Sequence, residues 1–228
     1  MKKTIGLIVT LLIALLILTG CVNVNYEVKV NKDGSGEISY LYGFSKETLK
    51  SLQVSAEDMV KEMKEQAEEN NYTTEYYEDD EMAGFKASKH LNDLSKEFSL
   101  KEAFGEEYVK EDENSNNGII IKNNFLKTKI SQNAEIDLTE MKDVASMVKM
   151  KYTVKLPVES NYNNATESSK NGKELTWNLV GGEINKIEYT AVGINVLPII
   201  LIIVLVVVAA VVCYLLIFRK KDKKEETK

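Results

Sequence analysis

From Val196 to Phe218 the chain carries no charged side chain, and after Pro198 it reads Ile-Ile-Leu-Ile-Ile-Val-Leu-Val-Val-Val-Ala-Ala-Val-Val-Cys-Tyr-Leu-Leu-Ile-Phe. About 20 residues at a helical rise of 1.5 Å cover roughly 30 Å, the thickness of a bilayer's hydrocarbon. A helix that is apolar on every face has no side to turn toward water, so the run predicts a membrane span in preference to a buried core helix. Arg219, Lys220, Lys221, Lys223 and Lys224 follow at once. An excess of Lys and Arg marks the cytoplasmic side of a span. Residues 219–228 are therefore expected in the cytoplasm, and the chain ahead of the span outside it.

The other end carries a second apolar run. Lys2 and Lys3 precede Ile5 to Leu18, about 14 residues and short for a span. The run closes on Leu18-Thr19-Gly20-Cys21, which resembles the lipobox of bacterial lipoproteins. By that resemblance, residues 1–20 are removed and Cys21 is the lipidation site, bearing a diacylglyceryl thioether as the first residue of the mature chain. An uncleaved signal anchor and an ordinary signal peptide with an incidental Cys stand as the other readings. One acylated residue holds a protein only marginally, and the C-terminal helix supplies a second hold. The expected division is a signal peptide over 1–20, an extracytoplasmic domain over 21–195, a span over 196–218 and a basic tail over 219–228. The expected place is the bacterial cytoplasmic membrane.

Of the 29 Lys and Arg and 35 Asp and Glu, eight bases and three acids lie in the end segments, so the external segment holds 21 against 32 and carries −11. Nucleic acid is an unsuitable partner for such a surface, because affinity there comes from neutralising phosphates. General attraction to anionic headgroups is disfavoured on the same ground. About 174 residues between the anchors fit one domain with a sizeable core. Cys213 lies inside the span, so no external disulfide is expected. His90 is the only His, and no nucleophile motif, phosphate-cradling loop or zinc spacing surrounds it. No catalytic residue, metal site or cofactor is predicted, and no residue is assigned to ligand binding.

Alternation and turn chemistry outline the domain. Tyr26 to Val30 and Ile38 to Tyr42 read as a hairpin, with Asp33-Gly34 supplying a positive φ. Ser45 caps a helix over Lys46 to Leu52. Ser55 and Asp58 form a capping box for a helix running to about Asn70, with Ala56, Met59, Val60, Met63 and Ala67 on one face. Tyr72 to Tyr77 and Met82 to Ser88 read as strands around a turn at Asp79-Asp80-Glu81. Leu91 to Phe104 is irregular or short helix, and Glu106 to Glu113 an exposed strand and turn. Asn116-Asn117-Gly118 is expected as a turn before Ile119-Ile120-Ile121, with Phe125 to Ile130 extended. Leu138, Met141, Val144, Ala145 and Val148 fall at helical spacing. Met150 to Leu156 and Leu175 to Leu179 alternate strictly, and Ile187, Tyr189 and Ala191 form the last strand. Asn71-Tyr72-Thr73 and Asn164-Ala165-Thr166 fit glycosylation sequons but are discounted in a bacterial setting.

The lipobox, then Tyr26-Glu27-Val28-Lys29-Val30-Asn31-Lys32-Asp33-Gly34-Ser35-Gly36, then Asn171-Gly172-Lys173-Glu174-Leu175-Thr176-Trp177-Asn178-Leu179 ahead of a span, resemble the LppM-type bacterial lipoproteins. The resemblance implies an α+β domain with a curved, mostly antiparallel sheet and two or more packed helices, besides the C-terminal transmembrane helix. It further implies lipid binding at the cell envelope, without a catalytic residue. The membrane is thus the expected partner and lipid a candidate ligand, with protein partners unassigned. Met59, Met63, Met141 and Met147 are candidate flexible lining. The alternative is a non-catalytic interaction or adaptor protein with a solid core. Short connections from Cys21 and to Pro198 make the first and last strands candidate sheet neighbours.

Overall fold

The computed structural model describes residues 22–109, 116–145 and 148–225. Cys21, the signal segment, Met147 and most of the acidic run after Val109 lie outside them. The first strand, β1 (Val22–Val30), begins directly after Cys21, earlier than the alternation from Tyr26 suggested. It turns through Gly34 at φ 96°, with Asp33 Oδ1 accepting from Ser35 N at 3.0 Å, into β2 (Gly36–Ser45). Asp33 and Ser35 thus make a turn. Ser45 caps α1 (Lys46–Leu52), and Ser55 caps α2 (Ala56–Glu69) by accepting from Asp58 N at 3.1 Å while donating to Asp58 Oδ2 at 2.6 Å. A second hairpin, β3 (Thr73–Glu78) and β4 (Met82–Leu91), returns the chain to β2.

Two short helices follow, α3 (Leu94–Glu97) and α4 (Leu100–Phe104). Val109 is buried and bridges Ile136, so the start of the acidic run is not the exposed strand its charges suggested. The next hairpin, β5 (Asn116–Asn123) and β6 (Lys127–Asp137), corrects two expectations. Asn116-Asn117-Gly118 lies inside β5, where Gly118 lets the strand approach the Phe98 carbonyl: a Cβ there would sit at 3.1 Å. The turn falls instead at Asn124-Phe125-Leu126. The helical spacing from Leu138 yields only a 3₁₀ stretch over Thr139–Val144. Leu138 exchanges backbone hydrogen bonds with Glu183 and Gly182 at 3.0 and 2.7 Å, and Val148 already belongs to β7 (Val148–Lys155). Tertiary pairing overrides the period.

The chain closes with β8 (Ser160–Asn163), β9 (Glu167–Ser168), β10 (Glu174–Leu179) and β11 (Ile184–Ile194), then α5 (Val196–Glu225). The fold is α+β with two sheets. One has seven strands in the order β3-β4-β2-β1-β7-β10-β9, the other four in the order β5-β6-β11-β8. Between β1 and β7 the pairing is parallel. The first and last strands, β1 and β11, are therefore in different sheets and are not neighbours.

The chain divides into two compact units. One takes the chain up to Ile121 together with Lys129–Val192, and the other takes Lys122–Thr128 with Gly193–Lys228. In the larger unit, register identifies one continuous apolar face of the seven-stranded sheet, because paired residues point the same way and the period is two. Val28 pairs with Ile38 and Val154, Tyr26 with Tyr40 and Tyr152, and Tyr152 with Trp177. Over β4 and the end of β2, α2 packs Ala56, Val60 and Ala67 on Phe44, Ala83, Phe85 and Ala87. Over β1, β7 and β10, the four-stranded sheet supplies Ile119, Ile130, Ile136, Ile187, Tyr189 and Ala191. One face has two covers.

In the smaller unit, Val196–Tyr214 is long and apolar enough to cross a membrane, and none of it is buried in the protein. A soluble core helix of that composition would be covered.

Candidate amphiphile-binding site

The two covers of the apolar face do not enclose it evenly. Val22 and Val24 begin β1, in the middle of the seven-stranded sheet, yet both are only half-buried. Val24 pairs with Tyr42 on one side and Met150 on the other, and Val22 with Phe44 and Val148. Tyr42, Met150 and Val148 are likewise half-buried, while Val28, Val154 and Tyr152 farther along the same strands are fully covered. The result is a half-covered apolar strip, a trough in its pattern of exposure, at the start of the central strand. Tyr40 lies at its inner end and packs with both clusters, its ring 5.5 Å from Tyr42 and 5.1 Å from Tyr72. Half-covered apolar side chains that include an aromatic ring and a flexible thioether are a surface on which an apolar chain can lie.

The opposite side chains of the same strands behave differently. Asn23 and Lys149, paired across β1 and β7, line an open polar depression of about 450 Å³ with Lys46, Glu47, Asp80 and Glu81. Charges of both signs border it, which suits water or a polar headgroup better than a hydrocarbon chain.

Behind the trough the interior is filled. Rings of Tyr26, Tyr152, Trp177 and Tyr189 follow one another at centroid distances of 6.2, 5.8 and 5.9 Å. Trp177 Nε1 donates to Asn164 Oδ1 at 2.8 Å, and the same oxygen accepts from Glu188 N at 2.8 Å. Asn164 Nδ2 donates to Lys186 O at 3.0 Å, so this sequon asparagine is occupied as a structural fastener. Tyr152 OH donates to Gln132 Oε1 at 2.9 Å. The Tyr189 hydroxyl and Gln132 Nε2 are buried without a partner among the described residues. Burial pushes the phenols of Tyr26, Tyr152 and Tyr189 well above their ordinary value.

Of the methionines expected to line a site, Met59 and Met63 pack with the α2 cluster and Met141 with the larger one. The structure keeps Met59 and Met63 together, in the cluster that Val22 and Tyr42 also pack against, and places Met141 apart from them. Met150, which the alternation placed in a strand without a role, is the methionine paired with Val24. His90 is exposed on β4, opposite Glu37. Among the described residues no three His, Cys, Asp or Glu gather as a metal site. Cys21, the expected lipidation residue, lies outside the described residues but is bonded to Val22, the outer end of the trough.

The sequence pattern of a family described as "protein of unknown function (DUF3153)" matches residues 47–219. No curated protein matches the chain. Among solved structures, the NMR structure of the folded domain of Mycobacterium tuberculosis LppM is similar at 14% identity and a TM-score of 0.45, over 77% of this chain and 91% of that one.

Proposed function

The chain belongs to the family described as protein of unknown function (DUF3153), and from that premise we propose that it is an LppM-type bacterial lipoprotein whose external domain binds lipid or another amphiphile. In this reading Cys21 is diacylated, α5 spans the cytoplasmic membrane with its C-terminus inside, and the larger unit works at the outer face. The observation that supports it is the half-covered row of Val22, Val24, Tyr42 and Met150, which starts one residue after Cys21. Acyl chains on Cys21 would hold the open end of that row within a residue of the leaflet, so an apolar tail could enter it without crossing water. The chemistry is capture and presentation, with no bond made or broken.

Native mass spectrometry of the full chain released in mild detergent tests this. A non-covalent lipid adduct is expected, and Val24→Glu should remove it while melting stays near the wild-type value, since the position is already half in water. Absence of an adduct, or an equal adduct on the variant, refutes the trough. The filled interior supports a second reading, a non-catalytic interaction protein, which such a result would leave in its place.

A further inference from the structure

Asn195, the last residue before α5, spends its hydrogen bonds on the β5–β6 turn. Its backbone N donates to Leu126 O at 2.9 Å and its Nδ2 to Asn124 O at 3.0 Å, while its Oδ1 accepts from Thr128 Oγ1 at 3.2 Å. Asn124 in turn shapes the loop, its Oδ1 accepting from Leu126 N and Lys127 N at 3.1 and 2.7 Å. These residues all belong to the smaller unit, so the tip and the start of the helix are one structural piece. The tip turns large apolar side chains outward: Phe125 is 62% exposed and Leu126 44%, beside Ile194 at 62% and Leu197 at 81%. A turn normally carries polar residues at such positions. From Asn116 to Ala134 the only charges are Lys122, Lys127 and Lys129, all exposed, in a segment otherwise dominated by acid.

We propose that the β5–β6 tip is a membrane-inserting wedge: Phe125 and Leu126 enter the interface of the leaflet that α5 enters, and Lys122 and Lys127, in the same unit, bind anionic lipid headgroups. The proposal rests on reading α5 as a membrane span. The Asn195 clamp fixes the depth, since it holds the tip level with the first turn of the helix. Aromatic and apolar side chains at that level leave water for the acyl boundary, and lysines there extend their ammonium groups to the phosphates. The net acidity of the chain hides this local reversal of sign.

Photo-crosslinking of the full chain in bilayer nanodiscs tests it. A benzophenone analogue of phenylalanine replaces Phe125, Val207 in the middle of α5, or Tyr162, an exposed aromatic of the larger unit that sets the background. In discs of phosphatidylcholine with phosphatidylglycerol, position 125 should give lipid adducts several-fold above position 162. Lys122→Glu combined with Lys127→Glu should return it toward that background. In pure phosphatidylcholine the wild-type yield at 125 should fall. A background yield at 125 with strong adducts at 207 overturns the wedge alone. A background yield at 207 as well overturns the membrane span and the wedge with it. Yield at 125 indifferent to phosphatidylglycerol and to the lysine changes overturns the headgroup role.

Discussion

Tyr152 and Tyr189 share one interior but not one hydrogen-bonding state. Tyr152 donates to Gln132, whereas the Tyr189 hydroxyl is buried without a partner among the described residues. A buried unsatisfied hydroxyl costs about 1–3 kcal/mol, and removing it leaves nothing behind to desolvate. Tyr189→Phe is therefore expected to be neutral or stabilising by about 1 kcal/mol. Tyr152→Phe strands the Gln132 carbonyl and should cost about 1–3 kcal/mol. Urea denaturation of both variants checks the order, and equal losses would contradict it. Residues of this kind were half-legible. The strict alternation of Met150 to Leu156 and Leu175 to Leu179 placed Tyr152 and Trp177 on the core side, and both are buried. Which phenol has a partner depends on Gln132, whose polar side chain in β6 carries no sequence signal of being interior.

At the scale of elements, Gly84 in β4 faces Gly43 in β2, and a Cβ on Gly84 would collide with the Tyr42 carbonyl oxygen. A strand pair this close has no room for a methyl group, so Gly84→Ala should cost about 1–3 kcal/mol through forced backbone shifts. A melting temperature equal to the wild type's would show that the strands can part freely. Local chemistry announced the elements that local chemistry decides: the Asp33-Gly34 turn, the Ser45 cap, the Ser55 and Asp58 box, and the alternating strands. The second sheet was hidden, because long-range pairing sets it. Asn116-Asn117-Gly118 has turn composition but is drawn into β5, while Phe125-Leu126, with neither Gly nor Pro, makes the turn because Asn124 and Asn195 hold it. The apolar trough was illegible for a related reason. Val22 and Val24 read as ordinary strand residues, and only the placement of two covers over one face leaves them half-open.

For the molecule as a whole, the raised phenols of Tyr26, Tyr152 and Tyr189 set an alkaline limit. Above the ordinary phenol value of about 10 the unfolded chain has released these protons and the folded chain still holds them. Stability is then full below about pH 10 and falls as pH climbs toward the folded-state values. The urea midpoint should stay level from pH 8 to about 9.5 and drop beyond it, and a level midpoint through pH 11 would contradict this. Anchoring is also a whole-molecule property. In the proposed reading, Cys21→Ser keeps its signal peptide and loses labelling by a palmitate analogue, yet stays in the membrane fraction because α5 suffices; release into the soluble fraction would show that it does not. The parallel junction of β1 with β7 bears on how the chain is made. The β1–β2 hairpin can close within about 1–10 μs of emerging, but the other edge of β1 has to wait for residues 148–155. At about 5–20 residues per second of synthesis that delay is on the order of ten seconds. Throughout it, the strand destined for the middle of the sheet offers bare amides and carbonyls to any passing neighbour, so the newborn chain is most prone to mispairing at its first strand.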